Sequence, residues 1–418
     1  MKLNMNSLSV KVDEQGHLIL PAEIVERFGL HPGASVLIGE GPNSFSIGRS
    51  AAALSKIYIE PTTLCNLDCR TCMRNVWDEP LGKMSKETFA KIMQGVSQFS
   101  TPPSVFFGGF GEPLVHPDII DMVQAAKMAG AEVELITNGI LLDEMTAGKL
   151  MGAELDRIWV SIDGATPESY DDVRLGAALP QVIENLMGLQ KMRTLTGRRL
   201  PKLGIAFVAM KRNIADLPKV IRMGKSLGAD QFSVSNVLPH TQALREQVLF
   251  TRSIYENNGL PSQWVPLISL PRIEINALTK EPLAETLKDW IMLSVARQEL
   301  GLGANACPFV EKGSISVRWD GSVSPCLPLL HAHTSFLDDT LRQNHSFSVG
   351  NINERSLFEI WQEPSYVKLR ERLLEFDFSP CTVCNSCELA EANLEDCFGN
   401  LQPACGGCLW AQGFIQCP

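Results

Sequence analysis

Cys65, Cys69 and Cys72 place three thiols within eight residues, directly after the short apolar run Ile57-Tyr58-Ile59. Three thiolates can fill three corners of a cubane iron–sulfur cluster, which would leave the fourth iron without a protein ligand. An iron left open in this way can take a small molecule, which turns an electron carrier into a site for bond cleavage. Two other uses of cysteine fit less well. Structural zinc sites prefer paired Cys-x-x-Cys units, and disulfide frameworks belong to short secreted chains rather than to one of 418 residues.

From Ile57 onward, β-type runs alternate with helical patterns, the order that builds a parallel sheet. The runs are Ile57–Ile59, Ser104–Phe107, Glu132–Ile136, Arg157–Ile162, Lys202–Ala209 and Gln231–Val237. Helical patterns over Pro117–Ala129, Asp143–Met151, Leu179–Arg193 and Asp216–Leu227 fall between them. This predicts an α/β fold whose chemistry lies in the loops that follow the strands, and the polar motifs sit there. Gly108-Gly109-Phe110-Gly111-Glu112-Pro113 follows the second run, Thr137-Asn138-Gly139 the third and Ser161-Ile162-Asp163-Gly164 the fourth. Arg174 ends the stretch Tyr170-Asp171-Asp172-Val173-Arg174, and Met210 follows the fifth run.

The cysteine triplet and these motifs resemble the radical S-adenosylmethionine (radical SAM) superfamily. The resemblance implies a partial (β/α)6 TIM-like barrel with a [4Fe-4S] cluster on Cys65, Cys69 and Cys72. Its open iron would chelate the amino and carboxylate groups of S-adenosylmethionine. Cofactor contacts are implied for Gly108, Gly109, Gly111 and Glu112 at the ammonium, for Asn138, Ser161 and Asp163, and for Arg174 near the carboxylate. The glycines are expected where a Cβ would keep the backbone from the ligand. Met210 is read as core. Relatives carry an aromatic residue just before the third cysteine, and this chain has Thr71 there, so the packing of adenine differs.

Nine of the twelve cysteines lie at or beyond Cys307. Cys307, the turn Trp319-Asp320-Gly321 and Cys326 resemble the opening of the SPASM extension of radical SAM enzymes, which implies two auxiliary [4Fe-4S] clusters. Cys307 and Cys326, with Cys397, are assigned to the nearer cluster, and Cys381, Cys384 and Cys387 to the farther. The places of Cys405, Cys408 and Cys417 stay open, because the spacing here departs from the usual one. A zinc ribbon joining Cys381-x-x-Cys384 to Cys405-x-x-Cys408 is the alternative. His331 and His333 are read as supporting or surface groups rather than ligands.

Residues 1–50 carry short β-type runs around Pro21 and the turn Gly29-Leu30-His31-Pro32-Gly33, then Ser35-Val36-Leu37-Ile38. They resemble the AbrB-type swapped-hairpin fold. Lys2, Lys11, Arg27 and Arg49 face Asp13, Glu14, Glu23, Glu26 and Glu40 in this module, which argues against a DNA-binding patch. It is read as a dimerisation or partner-docking element, followed by a linker over Gly48–Ala53. The barrel is expected over 51–265, a bridging region over 266–306 and the cluster-bearing domain over 307–418.

A net charge of -10 disfavours binding to nucleic acid or anionic membranes. No apolar run approaches the roughly 18 residues of a membrane span. A cysteine-rich chain with no export signal is expected in a reducing cytoplasm. The whole architecture is similar to maturases associated with tungsten-dependent aldehyde oxidoreductases. The resemblance implies reductive cleavage of S-adenosylmethionine, with electrons from a ferredoxin or flavodoxin. The resulting 5′-deoxyadenosyl radical would take a hydrogen atom from a peptide or protein partner. The alternatives are an enzyme acting on a small molecule or cofactor precursor, and a redox-sensing DNA-binding regulator, which the acidic module disfavours.

Overall fold

Eight strands pair in parallel in chain order: β1 (Lys56–Ile59), β2 (Ser104–Phe107), β3 (Val133–Thr137), β4 (Arg157–Ser161), β5 (Lys202–Ala209), β6 (Ala229–Asn236), β7 (Leu267–Leu270) and β8 (Met292–Val295). The computed structural model describes residues 10–22, 24–25, 30, 36–41, 44–50, 53–250, 267–271, 273–287, 292–295, 306–337, 339–379, 381–383 and 387–418. The six strands predicted from sequence are all present. Two more lie in the expected bridging region. Each is four residues long.

The sheet continues on the other side of β1 with chain from far downstream. β9 (Ser314–Val317) runs parallel to β1, and β10 (Ser322–Ser324) returns antiparallel. The hairpin β11 (His333–Leu337) and β12 (Thr340–Asn344) stands apart, and β13 (Gly350–Asn351) closes the edge on β10. The cysteine-rich segment therefore shares one eleven-stranded sheet with the barrel.

Helices α1 (Lys86–Val96), α2 (Ile119–Met128), α3 (Glu144–Gly152), α4 (Leu179–Thr196) and α5 (Leu217–Ser226) cover the convex face. Side chains alternate across a strand, so Ile57, Ile59, Val105, Phe107, Val133 and Leu135 pack outward with Ile92, Val123 and Leu150 of the helices. The intervening Tyr58, Phe106 and Trp159 point to the concave face, where they meet Phe309, Cys326, Leu327 and Leu330. The floor carries paired charges. Lys56 reaches Glu134 at 3.3 Å, and Arg157 reaches Glu134 at 3.5 Å and Asp230 at 2.5 Å. The Pro418 carbonyl accepts from Lys56 at 3.4 Å and from the Tyr58 hydroxyl at 3.5 Å, which anchors the tail inside the barrel.

In the N-terminal segment, Lys11–Val12 pairs antiparallel with Leu18–Ile19, and Val36–Gly41 with Ser44–Ser50. Ser50 pairs with Val36, so the ribbon runs through Gly48–Ser50 where the sequence led us to expect a linker. Just past Pro21 the chain is helical at residues 22, 24 and 25. No helix among the described residues is long and apolar enough to cross a membrane.

α6 (Leu357–Gln362) docks the C-terminal segment on α1. A Cβ on Gly95 would stand 2.7 Å from Leu357 Cβ and 3.1 Å from its backbone nitrogen. Gly→Ala in an open helix gains about 1 kcal/mol, whereas overpacking costs about 1–3 kcal/mol. Because the obstacle here is backbone and Cβ, Gly95→Ala should lower the urea midpoint of the iron-loaded protein. A raised midpoint would mean that the two helices pack more loosely than this.

Candidate active site

The ends of β1 to β4 open onto a cavity of about 260 Å³. Cys65, Cys69 and Cys72 border it, as do Gly109, Gly111, Glu112, Asn138, Ser161 and Arg174. Five segments separated in sequence thus meet as expected. Gly108 and Asp163 do not border it. Met210 is buried with Val173, Val237 and Leu244, as core.

The cysteine loop is laced by Arg74, which sequence reading passed over. Its Nη1 and Nη2 donate to the carbonyls of Thr63 at 3.1 Å and Leu67 at 2.9 Å, and its Nε donates to Cys72 Sγ at 3.3 Å. The Leu67 amide points at Cys65 Sγ at 3.4 Å. Arg174 lies 3.9 Å from Cys69 Sγ and is held by Asp163 Oδ2 at 2.7–2.8 Å. Asp163 is fully buried and its other oxygen accepts from the Val208 amide at 2.7 Å. It stands behind the wall and orients Arg174. Burial pushes the Cys65 and Cys69 thiols up, so thiolates there need nearby positive charge.

Glu112 is almost fully buried and binds its own chain. Oε1 accepts from the Leu114 amide at 3.0 Å and Oε2 from the Asn138 amide at 2.7 Å. Burial nevertheless raises its pKa. The glycines before it are fixed by self-packing. A Cβ at Gly111 would collide with the Thr62 carbonyl, and one at Gly109, where φ is +150°, would lie 2.8 Å from Glu60 Oε1. The sequence argument expected a ligand to exclude side chains here, and the chain's own loop already does so.

Cys307, Cys326, Cys405 and Cys408 border a second, smaller cavity of about 50 Å³, together with Arg342. Burial pushes Cys307 up to about 12 and raises the other three. Cys381 interacts electrostatically with Cys397 and Arg342. The sequence reading grouped Cys397 with Cys307 and Cys326. Cys387 is partly buried in the cluster of apolar residues around Cys381, and Cys384 lies outside the described residues. Cys417 packs with Trp410 and Cys307 against the cluster that holds Cys326, and it interacts electrostatically with Lys312, Lys56 and Cys408.

No three His, Cys, Asp or Glu side chains among the described residues stand close enough together to hold one metal ion. The thiols instead ring cavities, with guanidinium groups at their backs, and that donor set suits iron–sulfur clusters. The two histidines that the sequence reading took for supporting or surface groups are buried. His331 is 1% exposed and His333 3%. Their signal was faint. Glu60 ends an otherwise apolar strand run, and a buried carboxylate requires a partner, which is His331.

The radical SAM superfamily model matches residues 59–196, and the SPASM iron–sulfur cluster-binding domain model matches 307–388. Over 368 residues the chain is 31% identical to the tungsten-containing aldehyde ferredoxin oxidoreductase cofactor-modifying protein of Pyrococcus furiosus, covering 87% of this chain and 96% of that one. It is 25% identical to the PqqA peptide cyclase of Granulibacter bethesdensis across 82% of this chain and 81% of that one. In fold it is like Streptococcus suis SuiB bound to its precursor peptide SuiA, with a TM-score of 0.52 at 16% identity over 81% of this chain and 71% of that one. The chain belongs to the radical SAM enzymes that carry a SPASM iron–sulfur cluster-binding domain.

Proposed function

We propose that this enzyme is a maturase for a tungsten-dependent aldehyde oxidoreductase, removing a hydrogen atom from a polypeptide of that partner. The observation that carries this reading is the near-complete, 31% identical match to the Pyrococcus cofactor-modifying protein. A second reading, in which the substrate is the oxidoreductase's organic cofactor or its precursor, is favoured by that relative's name. Of the region 240–290, residues 251–266, 272 and 288–290 lie outside the described residues.

In this proposal Cys65, Cys69 and Cys72 hold the [4Fe-4S] cluster with the open iron. When bound, that cluster supplies the electron that splits S-adenosylmethionine and yields the 5′-deoxyadenosyl radical. The protein's own groups place the cofactor. Glu112 and the Gly109–Gly111 backbone receive the ammonium, Arg174 meets the carboxylate, and Asn138 and Ser161 hold the nucleoside side. Asp163 keeps Arg174 aimed, and Gly108 lets the loop turn against Phe106. Cys307, Cys326, Cys405 and Cys408 hold one auxiliary cluster. Cys381, Cys384, Cys387 and Cys397 hold the other, and Cys417 is spare. A ferredoxin or flavodoxin supplies electrons in the cytoplasm, and residues 1–50 serve docking or homodimerisation.

Three outcomes test this. Replacing Cys65, Cys69 and Cys72 together by Ala should abolish S-adenosylmethionine cleavage while the auxiliary iron, read by iron and sulfide analysis, stays bound. Glu112→Ala should weaken S-adenosylmethionine binding about tenfold or more, the cost of a lost charge-assisted hydrogen bond. An unchanged affinity would remove its role. Co-expression with the oxidoreductase should give a partner polypeptide of altered mass. An unaltered polypeptide beside an altered cofactor extract would decide for the second reading.

A further inference from the structure

Behind the cavity, a row of charged groups that the cysteines do not require ties the glycine loop to the C-terminal segment. Glu60 is fully buried. Its Oε1 accepts from the Phe110 amide at 3.1 Å, and its Oε2 lies 2.9 Å from His331 Nε2. The Nδ1 of His331 lies 2.7 Å from Glu79 Oε2. Glu79 also accepts from the Ala332 amide at 2.9 Å and from Arg318 at 2.8 Å, and Arg318 reaches Asp320 at 2.5 Å. The Trp77 ring covers the His331 ring at 4.0 Å, and the Phe110 ring meets it edge-on at 5.6 Å.

An imidazole with a carboxylate at each nitrogen donates from both and carries a positive charge. Burial opposes that charge, but the two carboxylates outweigh it, and the pKa stands above its ordinary value. A trans peptide is planar, so the Phe110 N–H and the Gly109 carbonyl point to opposite sides. With Glu60 holding the N–H, the Gly109 carbonyl is turned away from Glu60. Gly109 and Phe110 border the cavity, and Glu60 does not.

We propose that Glu60 and His331 are positioning residues for S-adenosylmethionine: their buried carboxylate–imidazolium pair, braced by Glu79, fixes the Gly109–Phe110 peptide and aims the Gly109 carbonyl at the cofactor's ammonium. This rests on the cofactor placement given under Proposed function. His331, Arg318 and Asp320 all belong to the cysteine-rich segment, so the segment that carries the auxiliary thiols also completes the S-adenosylmethionine pocket.

The test is the dissociation constant of S-adenosylmethionine on the reconstituted full-length enzyme, measured from about pH 6 to about pH 9 across the range where a raised histidine titrates. Glu60 and Glu79 face the ring directly. Arg318 and Asp320 stand behind Glu79, and His333 meets the His331 carbonyl at 3.1 Å through Nδ1. Because the pKa is raised, the clamp is complete at low pH and is lost as pH climbs through the raised value, so wild-type affinity should fall there. His331→Gln should weaken binding about tenfold or more at low pH and abolish the pH step, with iron content unchanged. Glu79→Gln should keep the low-pH affinity and move the step to lower pH. Wild-type affinity and pH profile in His331→Gln overturn the clamp, and so does a loss of affinity that merely tracks a loss of iron. If Glu112→Ala weakens binding while His331→Gln does not, the clamp alone fails. If both are unchanged, the cofactor placement fails and the clamp with it.

Discussion

A parallel sheet has two faces to bury, and an incomplete barrel cannot cover its concave face with its own strands. In this protein the cysteine-rich segment does so. Tyr58, Phe106 and Trp159 reach inward to Phe309, Cys326, Leu327 and Leu330, while β9 adds itself to the edge of β1. The walls of the smaller thiol cavity are therefore also the inner core of the barrel. A cluster held in that cavity would link its loading to the packing of the sheet, because groups that ligate metal contribute their binding energy to folding. The tail cannot loosen without exposing the concave face.

The buried charges follow the same division of labour. Asp163 with Arg174, and Glu60 with His331, are paired wherever they leave water. Such pairs return little net stability, since desolvation offsets much of their attraction. What they provide is direction. Asp163 aims a guanidinium at a thiol, and Glu60 sets a peptide plane. Each pair joins segments that the fold must bring together before the cavity exists, so the cavity forms only in the finished structure.

How much could be read in the sequence depends on how local each signal was. The six barrel strands and the loops after them were legible, because runs of β-type residues alternate with helical periods and the polar motifs follow the strands. β7 and β8, which lie beyond the last helical pattern read in the sequence, were not. The pairing of β9 with β1 has no local signal at all. The same holds for His331 and Glu60, which are 271 residues apart. A histidine a few residues past a cysteine reads as a surface group until the buried carboxylate that it neutralises is found. Arg74 was overlooked for another reason. Two residues past Cys72, it looks like a solvated charge, yet its three hydrogen bonds hold the loop together.

The auxiliary thiols present the opposite electrostatic problem, negative groups gathered where water is scarce. Arg342 answers it. It is 2% exposed, its guanidinium donates to the carbonyls of Ala390 at 2.6 Å and Ala404 at 3.1 Å, and it interacts with Cys381, Cys405 and Cys408. Burial lowers its pKa against the pull of those sulfurs, yet arginine keeps its proton in proteins. One fixed charge therefore serves both groups of cysteines. The segments that carry them also touch directly, since a Cβ on Gly406 would collide with the Ser379 carbonyl. Two sites that share a cation and a backbone contact cannot be charged independently. Adding negative charge at one reduces the stabilisation that Arg342 can offer the other, so the two must be treated as one electrostatic unit.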